Sequence, residues 1–403
     1  MASSKRYLFW LAICFAATLL PILSLNLLLA QHSLDGNSQA LAAADWQNDR
    51  HGITFIPVGT GIAQLKTIRL YDSLDIINGV VLGSSTSMSI SANQFPSPIR
   101  IYNYAKTANP LLSTIGEAEY LVANINQIRW LIIPLDWSID SLIGTLYQPG
   151  TPPLVDIPNP RANNPKAGNF VEPWYAQMLD ALSYPRIESL YRIIKDILGA
   201  TDRASAFRQY FLQAASDEYR CPDGVPAKDF NTQLRGQCAG LRYDGSFNYS
   251  GAYGSVLNPQ FQIFSALTAG SIYSKSLLKS GGIPNEFSLQ HVASMARKAQ
   301  AKGGGIILFM PPLLPGMEAE FLKKPQYGEA LRQTKGVLRS WAQRENLVIL
   351  DAGQSERFGC LASEFIDQHH AKTECYARVW NFFWKHVARI KGNAVEFPRG
   401  GLY

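Results

Sequence analysis

Five short apolar runs, each stopped by a turn-forming or polar residue, set the narrowest limit on the fold of this 403-residue chain. They are residues 76–82 (IINGVVL), 99–102 (IRIY), 130–135 (WLIIPL), 305–310 (GIILFM) and 347–350 (LVIL), and they stop at Gly83, Asn103, Asp136, Pro311 and Asp351. Runs of this length, with little polar alternation, suit strands covered on both faces, as in a parallel sheet. Residues 111–127 carry Leu111, Ile115, Ala118 and Leu121 or Val122 at helical spacing, and residues 288–302 and 327–344 are expected to be helices preceding the fourth and fifth runs. Strands alternating with helices predict an α/β fold: a parallel sheet with right-handed crossovers and helices on both faces. Ligands of such sheets gather beyond the carboxyl ends of the strands, where Ser85, Asn103 and Asp136 fall.

The rhythm breaks once. Residues 138–285 are too long for one crossover and are expected to form a long, mainly helical insertion capping the sheet, with helices over 173–198 and 204–216. The aromatic, glycine-containing piece at 243–255 suits contact with a sugar or peptide, and equally an ordinary surface loop. An apolar fraction of 47% is that of a globular chain with a substantial core. The formal charge of +6 is not gathered into a basic, aromatic-interleaved patch, so no nucleic-acid partner is implied.

At the amino terminus, Lys5 and Arg6 precede an apolar run over residues 7–30, long enough to cross a bilayer core. This is a membrane span or a signal peptide. Leu28 stands where a signal cleaved after Ala30 would need a small residue, which favours an uncleaved anchor over residues 1–30 with its amino end in the cytoplasm. Residues 31–50 read as a polar, alanine-containing linker within a lead-in that extends to residue 70, and the body of the chain covers 71–403. Four of the five cysteines form two local pairs, Cys221 with Cys238 and Cys360 with Cys375. Their placement predicts two disulfides and an oxidising compartment, in agreement with export.

A serine hydroxyl becomes a nucleophile when a base takes its proton, and the base works best when a carboxylate fixes its tautomer. Six histidines are present, and two adjoin in FIDQHHAKTEC. Asp367 and His370, three apart, can be presented together by one short turn; taken alone they equally suit an N-cap and a surface histidine. No metal is expected, because His369 and His370 lack a third ligand at a recognisable spacing. No cofactor is expected either, since the Gly303–Gly305 run precedes a strand where a phosphate loop should follow one.

GSSTS after the first run and DQHH before the last helix, in that order, resemble the SGNH/GDSL hydrolase superfamily. The resemblance spans about residues 76–390 apart from the insertion. It implies a three-layer flavodoxin-like fold, with Ser85 as nucleophile, His370 as base and Asp367 as the orienting acid. Ser84 stands where the GDS form has aspartate, as in the membrane-anchored envelope branch that includes the teichoic-acid D-alanylation accessory protein and the alginate-type O-acetyltransferases. IYNYAKTANP is similar to the family's second block, with Ala108 in place of its oxyanion-binding glycine. The amides of Ser85 and Ala108, with Asn103, are the implied oxyanion donors.

Asp136 stands near the family's third oxyanion donor, an asparagine. A carboxylate cannot donate, so Asp136 is structural, binds substrate hydroxyls together with His369, or marks a weakened hydrolase. The activity implied is O-acetyl transfer to, or ester hydrolysis of, an exported polysaccharide or other acylated glycan, beside a membrane-embedded acyltransferase. Two other functions stay open: a degenerate glycan-binding or assembly module, and a lipid or thioester hydrolase.

Overall fold

The computed structural model describes residues 2–31, 37–54, 59–107, 109–136, 157, 159, 182, 184–211, 220–221, 240–249, 255–268, 271–279, 285–391, 394–398 and 400–403. A six-stranded sheet in which every neighbouring pair is parallel organises the body of the chain. Its strands are β1 (Gly79–Val81), β2 (Ile101–Asn103), β3 (Trp130–Pro134), β4 (Gly305–Met310), β5 (Val348–Asp351) and β6 (Gly401–Leu402). Every residue of β1 to β4 is buried, which is why these segments read as unbroken apolar runs. Across the sheet the order is β2-β1-β3-β4-β5-β6, so the chain reverses direction at β1 and opens a crevice beyond the ends of β1 and β3.

The five runs become the first five strands, with shifted ends. Ile76 and Ile77 are not in β1, because their amides turn back to the Ser73 carbonyl at the end of helix Gly59–Asp72. Helix Leu111–Asn124 buries Leu111, Ile115, Ala118, Leu121 and Val122 along one side and packs on helix Glu286–Ala301. Helix Pro325–Arg344 packs on β5 and β6. Helix Thr373–His386 sets Tyr376 and Trp380 against Phe309 of β4, with ring centroids 6.3 Å and 5.5 Å away, and Trp380 also meets Phe95 at 4.8 Å. Burying a ring of this size contributes about 2–3 kcal/mol, so this contact seats the loop that precedes the helix.

One expectation is corrected. Residues 37–50 are not a linker: Asn37–Arg50 is a helix that buries Ala40, Ala43 and Ala44 and packs on helix Gly59–Asp72. Small alanines let two helices approach closely without the large apolar residues that would have marked the segment. Among its described residues the mainly helical insertion also carries short strands. Helices Tyr184–Gly199, Arg203–Phe211, Pro259–Ala266 and Ile272–Lys279 are joined by strands Arg220–Cys221, Gly240–Leu241 and Phe247–Asn248. With Ile53–Thr54 these make a four-stranded antiparallel sheet that binds the lead-in to the insertion.

Helix Ala2–Gln31 contains a 20-residue stretch, Phe9–Leu28, of mean hydropathy 2.2, long and apolar enough to cross a membrane. An anchor and a signal sequence share that property.

Cys360 and Cys375 are joined in a disulfide, with Cα atoms 5.0 Å apart. The other expected pair includes Cys238, which lies outside the described residues. Closing a 15-residue loop restricts the unfolded chain by about 3 kcal/mol. The double variant Cys360→Ser/Cys375→Ser is expected to lose that much in urea unfolding. Dithiothreitol should lower the wild-type midpoint by more than it lowers the variant's, because only the wild type has the Cys360–Cys375 bridge to lose.

Candidate active site

At the end of β1 the chain must turn sharply against β3. Gly83 does this at φ +117°, and a Cβ there would stand 2.3 Å from Pro134 Cγ and 2.9 Å from Ser87 Oγ. Both the backbone angle and the space require glycine. The turn continues as a single 3-10 turn, Ser85–Ser87, closed by the Ser87 amide donating to the Ser84 carbonyl at 3.0 Å. Ser85 opens that turn, so its own N–H is not consumed by it.

His370 reaches this turn from the far end of the chain. Its Nε2 lies 2.8 Å from Ser85 Oγ, across 285 positions of sequence, and its Nδ1 lies 2.6 Å from Asp367 Oδ2. Asp367 Oδ1 accepts the backbone N–H groups of His369 and His370, each at 2.9 Å, so one carboxylate both shapes the loop and orients the ring. Burial pushes the Asp367 carboxyl up, but the hydrogen bond from His370, the charges of both histidines and the backbone donor outweigh it and hold it well below the usual carboxylate range. Asp367 is therefore ionised at neutral pH and fixes the His370 proton on Nδ1, leaving the Nε2 lone pair for the serine proton. Ser85, His370 and Asp367 thus meet in one hydrogen-bonded line.

His369 stands beside His370 with ring centroids 4.1 Å apart. Its Nδ1 pairs with the Tyr273 hydroxyl. Burial, with the charges of Asp367 and Asp136, raises the Tyr273 phenol, so it stays protonated and donates. Burial, then the neighbouring His370, lowers His369, which favours the neutral ring. Asp367, His369 and His370 bring ligand-type atoms within 4.8 Å of one another, so the pair does have a third group beside it, contrary to the spacing argument. Both ring nitrogens of His370 are nevertheless occupied, by Asp367 and by Ser85.

Asp136 is buried, at 6% exposure, and accepts the Thr86 hydroxyl at 3.1 Å. Thr86 in turn lies 3.0 Å from Ser84 Oγ, and its carbonyl accepts the Tyr376 hydroxyl. Of the roles open to Asp136, this geometry supports the structural one, bracing the turn that carries Ser85. Asn103 is not an oxyanion donor. Its side-chain amide donates to the carbonyls of Ser87 (2.9 Å), Met88 (3.2 Å) and Ile90 (2.7 Å), and its carbonyl oxygen accepts the Ala105 amide at 3.0 Å. A strand end pointed at the site, but the side chain is wholly buried and stitches the crossover that follows Ser85. Ala108 lies outside the described residues.

Several supporting residues had no sequence signal. Lys66 is buried beneath the second block, where its Nζ donates to Asn103 O (3.1 Å), Asn103 Oδ1 (3.3 Å) and the Ala105 carbonyl. Asp244 accepts Ser91 Oγ and the Ala92 amide, both at 2.7 Å, and so caps the crossover from the insertion. Gln368 donates to Gln262 Oε1 (2.6 Å) and Ser265 Oγ (3.1 Å), tying the loop of Asp367 and His370 to helix Pro259–Ala266. Only Gln368 could have been found, from its place inside DQHH.

The fold and the site together define a parallel α/β protein whose serine, histidine and aspartate converge at a strand end. Comparison of the chain with protein-family models, with curated proteins and with solved structures gives no match in any of the three.

Proposed function

We propose that this chain is a serine-dependent acyl-transfer enzyme of SGNH type, a three-layer flavodoxin-like fold held at the bacterial cytoplasmic membrane with its catalytic body exported. The observation that carries the reading is the continuous line from Ser85 Oγ through the His370 ring to Asp367. Ser85 Oγ attacks an ester carbonyl carbon as its proton passes to His370 Nε2. The resulting oxyanion is met by the Ser85 amide. The C–O bond to the leaving alcohol then breaks, His370 returns the proton to that oxygen, and an acyl-serine remains. A second hydroxyl, from water or a glycan, is deprotonated by His370 and releases the acyl group by the same steps in reverse.

An exported, anchored body suits an envelope polysaccharide as acceptor or substrate, with an acetyl group supplied by a membrane-embedded acyltransferase. The buried carboxylate of Asp136 at the third-block position supports transfer or slow hydrolysis over fast hydrolysis, because one oxyanion donor of the family is replaced.

A fluorophosphonate probe tests the reading. The expected result is a covalent adduct on the peptide containing Ser85, abolished in Ser85→Ala and slowed in His370→Ala. An intact protein left unlabelled at Ser85 would reject the triad in favour of a binding module.

A further inference from the structure

We infer that helix Tyr184–Gly199 of the insertion is a second membrane contact, lying in the lipid interface of the same bilayer that the amino-terminal helix crosses. The inference rests on helix Ala2–Gln31 being an uncleaved span, and not on the chemistry at Ser85. Helix Tyr184–Gly199 carries two apolar stripes. Leu190, Ile193 and Ile197 are buried and form a cluster with Ile22, Leu25 and Leu28 of the amino-terminal helix. The adjoining stripe, Ile187, Tyr191, Ile194 and Leu198, repeats at intervals of four, three and four and faces outward, with exposures of 40%, 67%, 36% and 57%. A water-soluble surface helix buries its apolar side once; this one has apolar surface left over.

Depth identifies what covers it. Phe9–Leu28 at 1.5 Å per residue is ~30 Å long, the thickness of a hydrocarbon core. Ile22 to Leu28 are its last ~9 Å. A helix packed on those residues is held within that distance of the apolar boundary, the depth of about 5–10 Å at which amphipathic interfacial helices lie. The span itself also exposes large apolar side chains, with Phe15 and Leu20 at 65% and 58%. Tyr191 is a residue type suited to the headgroup level, and Lys195, exposed one turn further on, can extend its amine to phosphate along an apolar stem. Lipid therefore covers both surfaces, and the insertion is fixed to the bilayer at two points instead of swinging on one helix.

Spin labels on the full-length chain in vesicles of phosphatidylethanolamine and phosphatidylglycerol test this, by comparing collision with oxygen, which concentrates in lipid, and with a water-soluble nickel chelate. Cys14, exposed in the span, reports the anchor itself. Tyr191→Cys, Leu198→Cys and Lys195→Cys are labelled in a Cys14→Ser background, with that background chain as the labelling blank. The expected result is a several-fold preference for oxygen over nickel at 191 and 198 and the reverse preference at 195. Nickel preference at 191 and 198 with an oxygen-preferring Cys14 would overturn the second contact and leave the anchor standing. Labels at 191 and 198 closed to both reagents would make a protein, such as a second copy, the occupant and overturn lipid. Nickel preference at Cys14 would remove the anchor and the inference with it, whatever Ser85 does with the fluorophosphonate.

Discussion

Asp367→Asn is expected to lower kcat for acyl transfer by about 10⁴-fold, with KM and the melting temperature close to those of the wild type. The substitution separates the two tasks of this carboxylate. An asparagine Oδ1 still accepts the backbone N–H groups of His369 and His370, so the loop keeps its shape. Its Nδ2 replaces Oδ2 opposite His370 Nδ1, where the present contact is 2.6 Å, and an amide N–H there needs an acceptor. The ring then carries its proton on Nε2 and points N–H at Ser85 instead of a lone pair. The fluorophosphonate reaction should slow in parallel, because it requires the same proton transfer. A variant with unchanged kcat would mean that Asp367 only shapes the loop.

Lys66→Met is expected to change the pH dependence of stability. Burial pushes the Lys66 amine down from 10.5 to about 7; Asp244 and Glu117 oppose the shift and Lys106 adds to it. The group is depressed on folding, so between those two values the unfolded chain binds more protons and wild-type stability rises with pH. Below the lower value both states are charged and the desolvation cost is fully present. A depression of that size is worth on the order of 5 kcal/mol. Urea unfolding of wild type against Lys66→Met, taken from pH 6 to 10, should therefore show the wild type gaining stability relative to the variant as pH rises. Parallel curves would mean that the oxygens of Asn103 and Ala105 keep the ammonium charged throughout.

Residues buried by large apolar side chains were legible in the sequence, and residues buried by small or polar ones were not. WLIIPL and GIILFM announce β3 and β4 because both faces of those strands are covered. β6 is two residues long and pairs with β5 through Gly401 and Leu402, too little to make a pattern. The helix over Asn37–Arg50 packs through alanines, which also occur in linkers. At the site, Ser85, Asp367 and His370 follow strand ends or sit in a short local motif, and the structure brings all three together. Asn103 is itself the last residue of β2, yet faces the crossover; position along a strand does not say which way a polar side chain turns. Lys66 looked like any surface lysine, since only tertiary packing removes it from water.

The cap that Asp244 places on Ser91 and Ala92 joins groups about 150 positions apart, and the Ser85–His370 pair spans 285. Contacts of such separation form late, after loop closure has been overcome. A chain emerging amino end first would present Ser85 long before His370, and would hold that serine on a crossover still lacking its cap. The line from Ser85 through His370 to Asp367 is then among the last contacts that folding completes. The contact between Ser85 and His370 is complete only when helix Thr373–His386 has docked on β4.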